Sequence, residues 1–157
     1  MKIQLIVIGK TSQRFVQQGL DEFCSRLVHY YPFELEIIPD IKNTKNMPVE
    51  RQKEKEGESL LQSFQAGDFV ALLDERGKEF TSPEFAEYIE KKAHTGLKRL
   101  VFVVGGAYGF SPAVYEAAQE KIALSKMTFP HQLIRLIFIE QLYRAMTILH
   151  KEPYHHE

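Results

Sequence analysis

Short β-branched runs alternate with longer stretches of helical spacing along the whole chain. Apolar runs of strand length fall at 3–8, 33–38, 69–73 and 99–104, with a weaker one at 121–124. Between them, apolar positions recur every three or four residues over about 13–29, 49–65, 83–94, 112–119 and 131–149, which predicts five helices. Strand and helix in alternation predict an α/β fold. Three helix starts have a chemical reason. Ser82 before Pro83 and Ser111 before Pro112 each pair an N-cap hydroxyl with a first-turn proline, and Pro48 opens the second helix.

Two of these helices differ from an ordinary amphipathic one. The second begins with a charge run in which opposite charges sit three apart (Glu50/Lys53, Arg51/Glu54, Lys53/Glu56, Lys55/Glu58). That pattern reads as a solvated face held by weak pairs, with only Leu60, Leu61 and Phe64 facing the core. The last helix is the reverse. At about 100° per residue, Glu140, Arg144 and Thr147 form one narrow polar stripe. Leu136, Ile137, Phe138, Ile139, Leu142, Ala145, Met146, Ile148 and Leu149 cover most of the rest. Such a helix needs cover on more than one side. The expectation is a two-fold homodimer with outward residues such as Ile139 and Met146 at the interface; the alternative is that the chain's own sheet and helices suffice.

Composition narrows the class without naming a partner. The 157 residues are one domain's worth of chain, and 44% hydrophobic with 26% charged residues is the soluble globular average. No apolar run reaches the roughly 20 residues of a membrane helix, and Met1-Lys2 leads straight into the first strand, so a cytoplasmic protein is expected. The single cysteine, Cys24, excludes an internal disulfide and a cysteine cluster. A net charge of −1 does not mark a general nucleic-acid binder. The distribution is less even: residues 121–156 carry five bases, two acids and four histidines, so an anionic ligand favours the C-terminal part.

Candidate chemistry gathers at strand ends and in the last third. The strand at 99–104 runs into Gly105-Gly106-Ala107-Tyr108-Gly109, and glycines there let the backbone approach a ligand. The spacing is neither a dinucleotide fingerprint nor a phosphate loop, which disfavours NAD and ATP; a ligand-free tight turn fits as well. Asp74 and Glu75, before Arg76-Gly77, are either acid/base groups or solvated turn formers. Residues 125–131 mix hydroxyls, an amine and a thioether, as an adaptable pocket does. His131 sits at a helix start, where the dipole disfavours a charged imidazole. Glu140 and Arg144 are a helical salt bridge or a substrate contact. The tail 151–157 is a frayed terminus, or places Tyr154 to stack on a base and His155 to exchange its proton. No set of metal-ligand spacing is present.

In order, Val103-Val104-Gly105-Gly106-Ala107-Tyr108-Gly109-Phe110-Ser111-Pro112, Leu124-Ser125-Lys126-Met127-Thr128-Phe129-Pro130-His131-Gln132-Leu133, Glu140-Gln141-Leu142-Tyr143-Arg144-Ala145 and Pro153-Tyr154-His155 resemble the ribosomal RNA large subunit methyltransferase H family of the SPOUT class. The resemblance covers the whole chain. It implies a SPOUT-type trefoil α/β knot, a parallel sheet flanked by helices in a single domain over 1–157. The knot and cofactor region is then about 69–150 and the tail 151–157. It implies a homodimer that binds S-adenosylmethionine bent in the knot, releases S-adenosylhomocysteine and uses no metal. The methyl goes to N3 of a pseudouridine, position 1915 of 23S rRNA, in assembled 70S ribosomes. Carried over by position, cofactor contacts fall at Leu73, Gly105, Leu124, Ser125, Lys126, Met127, Thr128 and Phe129. Substrate-side and catalytic roles fall at Glu140, Arg144, Tyr154 and His155. His156 departs from relatives that carry Lys or Arg there, which weakens a phosphate contact at neutral pH. A binding-only ribosome-associated factor remains the competing reading. A phosphotransfer enzyme lacks its Asp/Lys set.

Overall fold

The structure is a computed structural model and describes residues 1–156. Five strands, β1 (Lys2–Ile8), β2 (Phe33–Ile38), β3 (Phe69–Glu79), β4 (Arg99–Val104) and β5 (Glu120–Ala123), form one sheet in the order β2-β1-β4-β3-β5. Every neighbouring pair is parallel. The helices are α1 (Arg14–Leu27), α2 (Val49–Ser63), α3 (Ser82–Ala93), α4 (Pro112–Ala117) and α5 (Leu133–Leu149). All six residues of β4 are buried, as expected of a central parallel strand with helices on both faces. Alternate side chains supply two cores. Leu5, Val7, Leu100, Phe102 and Val104 pack with α1, α3 and α5. Ile6, Ile8, Val70, Leu72, Val101 and Val103 pack with Leu60 of α2, Phe110 and Val114 of α4.

Two local expectations are corrected. The Asp74–Gly77 stretch is not a turn but part of β3, which runs on to Glu79 through an irregularity that shifts its register against β5 between Leu73 and Lys78. Gly77 makes this possible, because a Cβ there would lie 2.5 Å from the backbone of Lys121 and Ile122. The N-cap of α3 is Thr81, not Ser82. Thr81 Oγ1 accepts from Glu84 N–H and Thr81 N–H donates to Glu84 Oε2 at 2.7 Å, a reciprocal capping box that Ser82 cannot form because its partner would have to be Phe85. Ser82 Oγ donates instead to Gln141 of α5 at 2.8 Å. Ser111 does cap α4, and Pro48 stands at the start of α2.

The chain itself covers the core side of α5 and leaves Leu136, Ile137, Ile148 and Leu149 half-buried. Ile139 and Met146, the expected outward residues, are fully buried in the α1–α3–α5 core, so they present no face to a second copy. Thr147 is buried too, its hydroxyl donating to the Arg144 carbonyl at 2.7 Å. Arg135 lies on the apolar side of α5, fully buried and without a carboxylate in ion-pair contact among the described residues. Its guanidinium donates to the carbonyls of Ile8 (2.6 Å), Gly9 (2.8 Å) and His131 (3.2 Å) and to Thr11 Oγ1. One cation thus ties the end of β1 to the start of α5. On α2, Glu56 and Gly57 are buried with Leu60, so the charge run is not wholly a solvated face.

The tail is held. Glu152 N–H donates to the Thr147 carbonyl at 2.9 Å and Lys151 N–H to that of Ile148 at 3.1 Å, a Schellman closure with Lys151 at φ 56° in the position that usually takes glycine. Tyr30, beyond the end of α1, donates to the Glu152 carboxylate at 2.8 Å. Glu157, the last residue of the tail, lies outside the described residues. No helix among the described residues is long and apolar enough to cross a membrane.

Candidate active site

A cleft of about 1050 Å³ opens at the carboxyl ends of β3 and β4, where ligands bind in parallel sheets. Its walls are Leu73 and Asp74–Arg76 of β3, the glycine turn 105–109 after β4, and the segment from Leu124 to His131 that enters α5. The turn is closed by Gly109 N–H donating to the Gly106 carbonyl at 3.2 Å, with Gly109 at φ 82°, where an L side chain is strained. A Cβ on Gly105 would meet the Phe110 ring at 3.1 Å, so the bare backbone is what the cleft presents there.

Of the expected cofactor residues, Leu73, Gly105, Leu124, Ser125, Met127, Thr128 and Phe129 line this cleft. Lys126 does not; its side chain is 87% exposed and its ammonium stands 4.0 Å from Glu79. Thr128 Oγ1 donates to Glu75 Oε2 at 2.6 Å, pinning the loop to β3. Met127 is 75% exposed, an apolar side chain left in solvent at the mouth of a polar loop. Asp74 is not solvated, and its Oδ1 accepts from the Arg76 backbone N–H at 2.8 Å, the hydrogen bond of an Asx turn, inside the β3 run. It accepts from Arg76 and Tyr115 at the cleft wall, and although burial opposes its ionisation those bonds hold its pKa down at about 2. His131 lines the cleft as a neutral imidazole, its pKa lowered by burial and by the neighbouring Arg135 cation. Burial is the larger cause and the Arg135 guanidinium the smaller.

Glu140, Arg144, Tyr154 and His155 form a second cluster, far along α5. Arg144 donates from Nη2 (2.6 Å) and Nε (3.0 Å) to Glu140 Oε1, which also accepts from Tyr154 OH at 3.1 Å. The guanidinium carbon stands 4.9 Å from the Tyr154 ring centroid, and Tyr143 meets that ring edge-on at 4.8 Å. Arg144 Nη1 lies 3.2 Å from His155 Nδ1. A guanidinium only donates, so Nδ1 accepts and the imidazole proton sits on Nε2. None of the four lines the cleft. Ile134 does, and Arg144 is ten residues further along the same helix, a rise of about 15 Å.

Glu50, Lys53 and Tyr115 also line the cleft, and nothing in the charge run or in α4 marks them for it. Arg135 was legible: with 138, 139, 142 and 146 it shares the core side of the helix, where a charged residue needs a purpose. Among the described residues no group of three His, Cys, Asp or Glu side chains is placed to hold a metal ion. Burial pushes the Cys24 thiol up to about 11, away from nucleophile chemistry.

An all-parallel sheet with helices on both faces and a glycine-walled cleft at its strand ends defines a nucleotide- or cofactor-binding α/β enzyme class. The chain matches the family described as "Predicted SPOUT methyltransferase" over residues 1–155 and belongs to it; it is a methyltransferase with the SPOUT α/β fold. A protein of Parabacteroides distasonis named "Ribosomal RNA large subunit methyltransferase H" is 67% identical over 157 residues, the whole of both chains. Proteins of the same name from Phocaeicola vulgatus, 59% identical over the whole of both chains, and Christiangramia forsetii, 58% identical over 99% of each, are similar to the same extent of sequence.

Proposed function

We propose that this methyltransferase transfers the methyl of S-adenosylmethionine to N3 of the pseudouridine at position 1915 in 23S rRNA of assembled 70S ribosomes, as a cytoplasmic homodimer. The observation that carries the reading is the cleft between the glycine turn and the 124–129 loop, in a chain whose relatives along its full length bear the rRNA methyltransferase name. The residues present suit the cofactor: apolar Leu73, Leu124 and Phe129 offer faces to a planar base, and Gly105 offers backbone without a side chain. Region 69–150 carries the cofactor and 151–157 closes the substrate side.

Bound there, S-adenosylmethionine supplies an electrophilic methyl on a sulfonium. The uracil-type N3–H is a weak acid, so its proton must leave and the ring anion must be held in line. Arg144 faces Glu140 and can donate to a ring carbonyl as negative charge develops. The same shift releases His155 Nδ1 from the guanidinium, and that lone pair then takes the proton. Tyr154, propped edge-on by Tyr143, presents a ring for stacking. Within one chain this cluster and the cleft lie apart on α5, and a second copy supplying one of them makes the site complete; this separation supports the homodimer. A near-zero net charge gives weak affinity for free RNA and leaves recognition to a shaped ribosomal surface.

The test is methyl transfer from labelled S-adenosylmethionine to intact 70S ribosomes and to protein-free 23S rRNA. Label in the ribosomal pseudouridine, with little in free RNA, is expected. Cofactor binding without any transfer to ribosomes would favour the binding-only factor.

A further inference from the structure

Glu56 belongs to the charge run of α2, yet its side chain is buried, 5% exposed, behind the glycine turn. A Cβ on Gly106 would lie 2.7 Å from Oε1 and 2.9 Å from Oε2, so the carboxylate occupies the space that the glycine leaves. Gln52, one turn earlier on α2, donates to Oε2 at 3.3 Å. Oε1 is the buried side-chain oxygen without a hydrogen-bond partner among the described residues. Among the described residues no cation pairs with it. Lys53 stands with Glu50 at 3.7 Å, and the ionisable group that acts on Glu56 is Asp40, after β2, which carries the same sign. Arg135, which feels the Asp40 charge, spends its donors on carbonyls and the Thr11 hydroxyl.

A buried carboxylate with an open oxygen is costly unless it holds a proton or meets a positive charge. Burial raises the pKa of Glu56 accordingly. Gly106, whose Cβ position the carboxylate fills, is itself wall of the cleft, while Glu56 is not. We propose that Glu56 is a specificity-determining residue whose carboxylate, behind Gly106, serves as counter-charge to the sulfonium of the bound methyl donor and so makes the cleft prefer the donor to its uncharged thioether product. This rests on the S-adenosylmethionine reading. The two ligands share the adenosine and the amino-acid end and differ by one methyl and one positive charge. With the donor bound, the carboxylate ionises against the cation. After transfer the sulfur is neutral, the carboxylate is again uncompensated and takes up a proton, and the product leaves more readily than the donor.

Calorimetric titration of the full chain with S-adenosylmethionine and with S-adenosylhomocysteine, without ribosomes, tests this. Glu56→Gln keeps the size and the Gln52 contact and removes the charge. It is expected to weaken donor binding roughly tenfold, the effect of about one pKa unit of interaction, while product binding changes less than about twofold. Donor binding by the wild type is expected to release protons at pH values above the ordinary carboxylate range, seen as a dependence of the heat on buffer ionisation, and product binding is not. Equal losses for both ligands in the variant, or wild-type donor binding without proton release, overturns the proposal; the second readout needs no variant to fold. A wild type that binds neither ligand overturns the cofactor reading itself, and the two failures are thereby told apart.

Discussion

Individual residues make the structure's sharpest energetic claims. Lys151 holds φ 56° at the end of α5, a conformation that costs an L residue about 1–2 kcal/mol. Glycine avoids that cost but loses more entropy on folding. Lys151→Gly should therefore raise stability by about 0.5–1 kcal/mol and Tm by about 2 °C, read by thermal unfolding. Asp74 gives a pH-dependent case. Its folded pKa of about 2 lies below the ordinary 3.8, so its stabilisation is present above 3.8 and is lost as pH falls through 2. The side chain is only 8% exposed, and the shift corresponds to about 2 kcal/mol. Urea unfolding of wild type and Asp74→Asn should show a stability difference of that order at pH 7 that closes toward pH 2. A difference independent of pH would mean that Asp74 acts through shape alone.

Elements set what these residues can reach. The bulged run of β3 past Leu73 carries Asp74 and Glu75 onto the cleft wall and Glu75 onto Thr128, so strand and loop fix one another. The tail behaves as an element as well, closed onto α5 by the 147–152 hydrogen bonds and onto Tyr30. Removing residues 153–157 spares those bonds, and so should leave fold and S-adenosylhomocysteine affinity intact while abolishing methylation of ribosomes. His155→Ala alone should lower kcat more than it changes cofactor affinity, because only the transition state requires the proton to move. Single-turnover methyl transfer decides it: equal rates for truncated and full chains would leave the proton to water or to Glu140.

At the scale of the whole molecule, the distance along α5 between Ile134 and Arg144 has a direct consequence. If one copy supplies the cofactor cleft and the other the Glu140–His155 cluster, Gly105→Val chains should be inactive alone and His155→Ala chains strongly slowed. Mixed and re-annealed, they should recover up to about a quarter of wild-type activity, because half the dimers are hybrids and each hybrid keeps one intact site of two. No recovery in hybrids verified by mass would place the whole reaction within a single chain.

What the sequence determined is what short-range chemistry decides. Alternating strand and helix patterns, the Ser111-Pro112 start of α4 and the glycine run after β4 all follow from local periodicity, capping and backbone freedom, and the structure keeps them within a few residues except at β3, which runs on to Glu79. The segments carrying the family resemblance are those that line the cleft or build the second cluster. Tertiary structure decided the rest. Periodicity states how much of a helix must be covered but not by what, and Ile139 and Met146 prove to be covered by α1 and α3. A charge run states which residues can ionise but not which carboxylate the fold presses behind a glycine, as it does Glu56. Strand order and the approach of β5 to Gly77 depend on contacts far apart in the chain, and burial and field at those contacts, not residue type, set the behaviour of Asp74, His131 and Arg135.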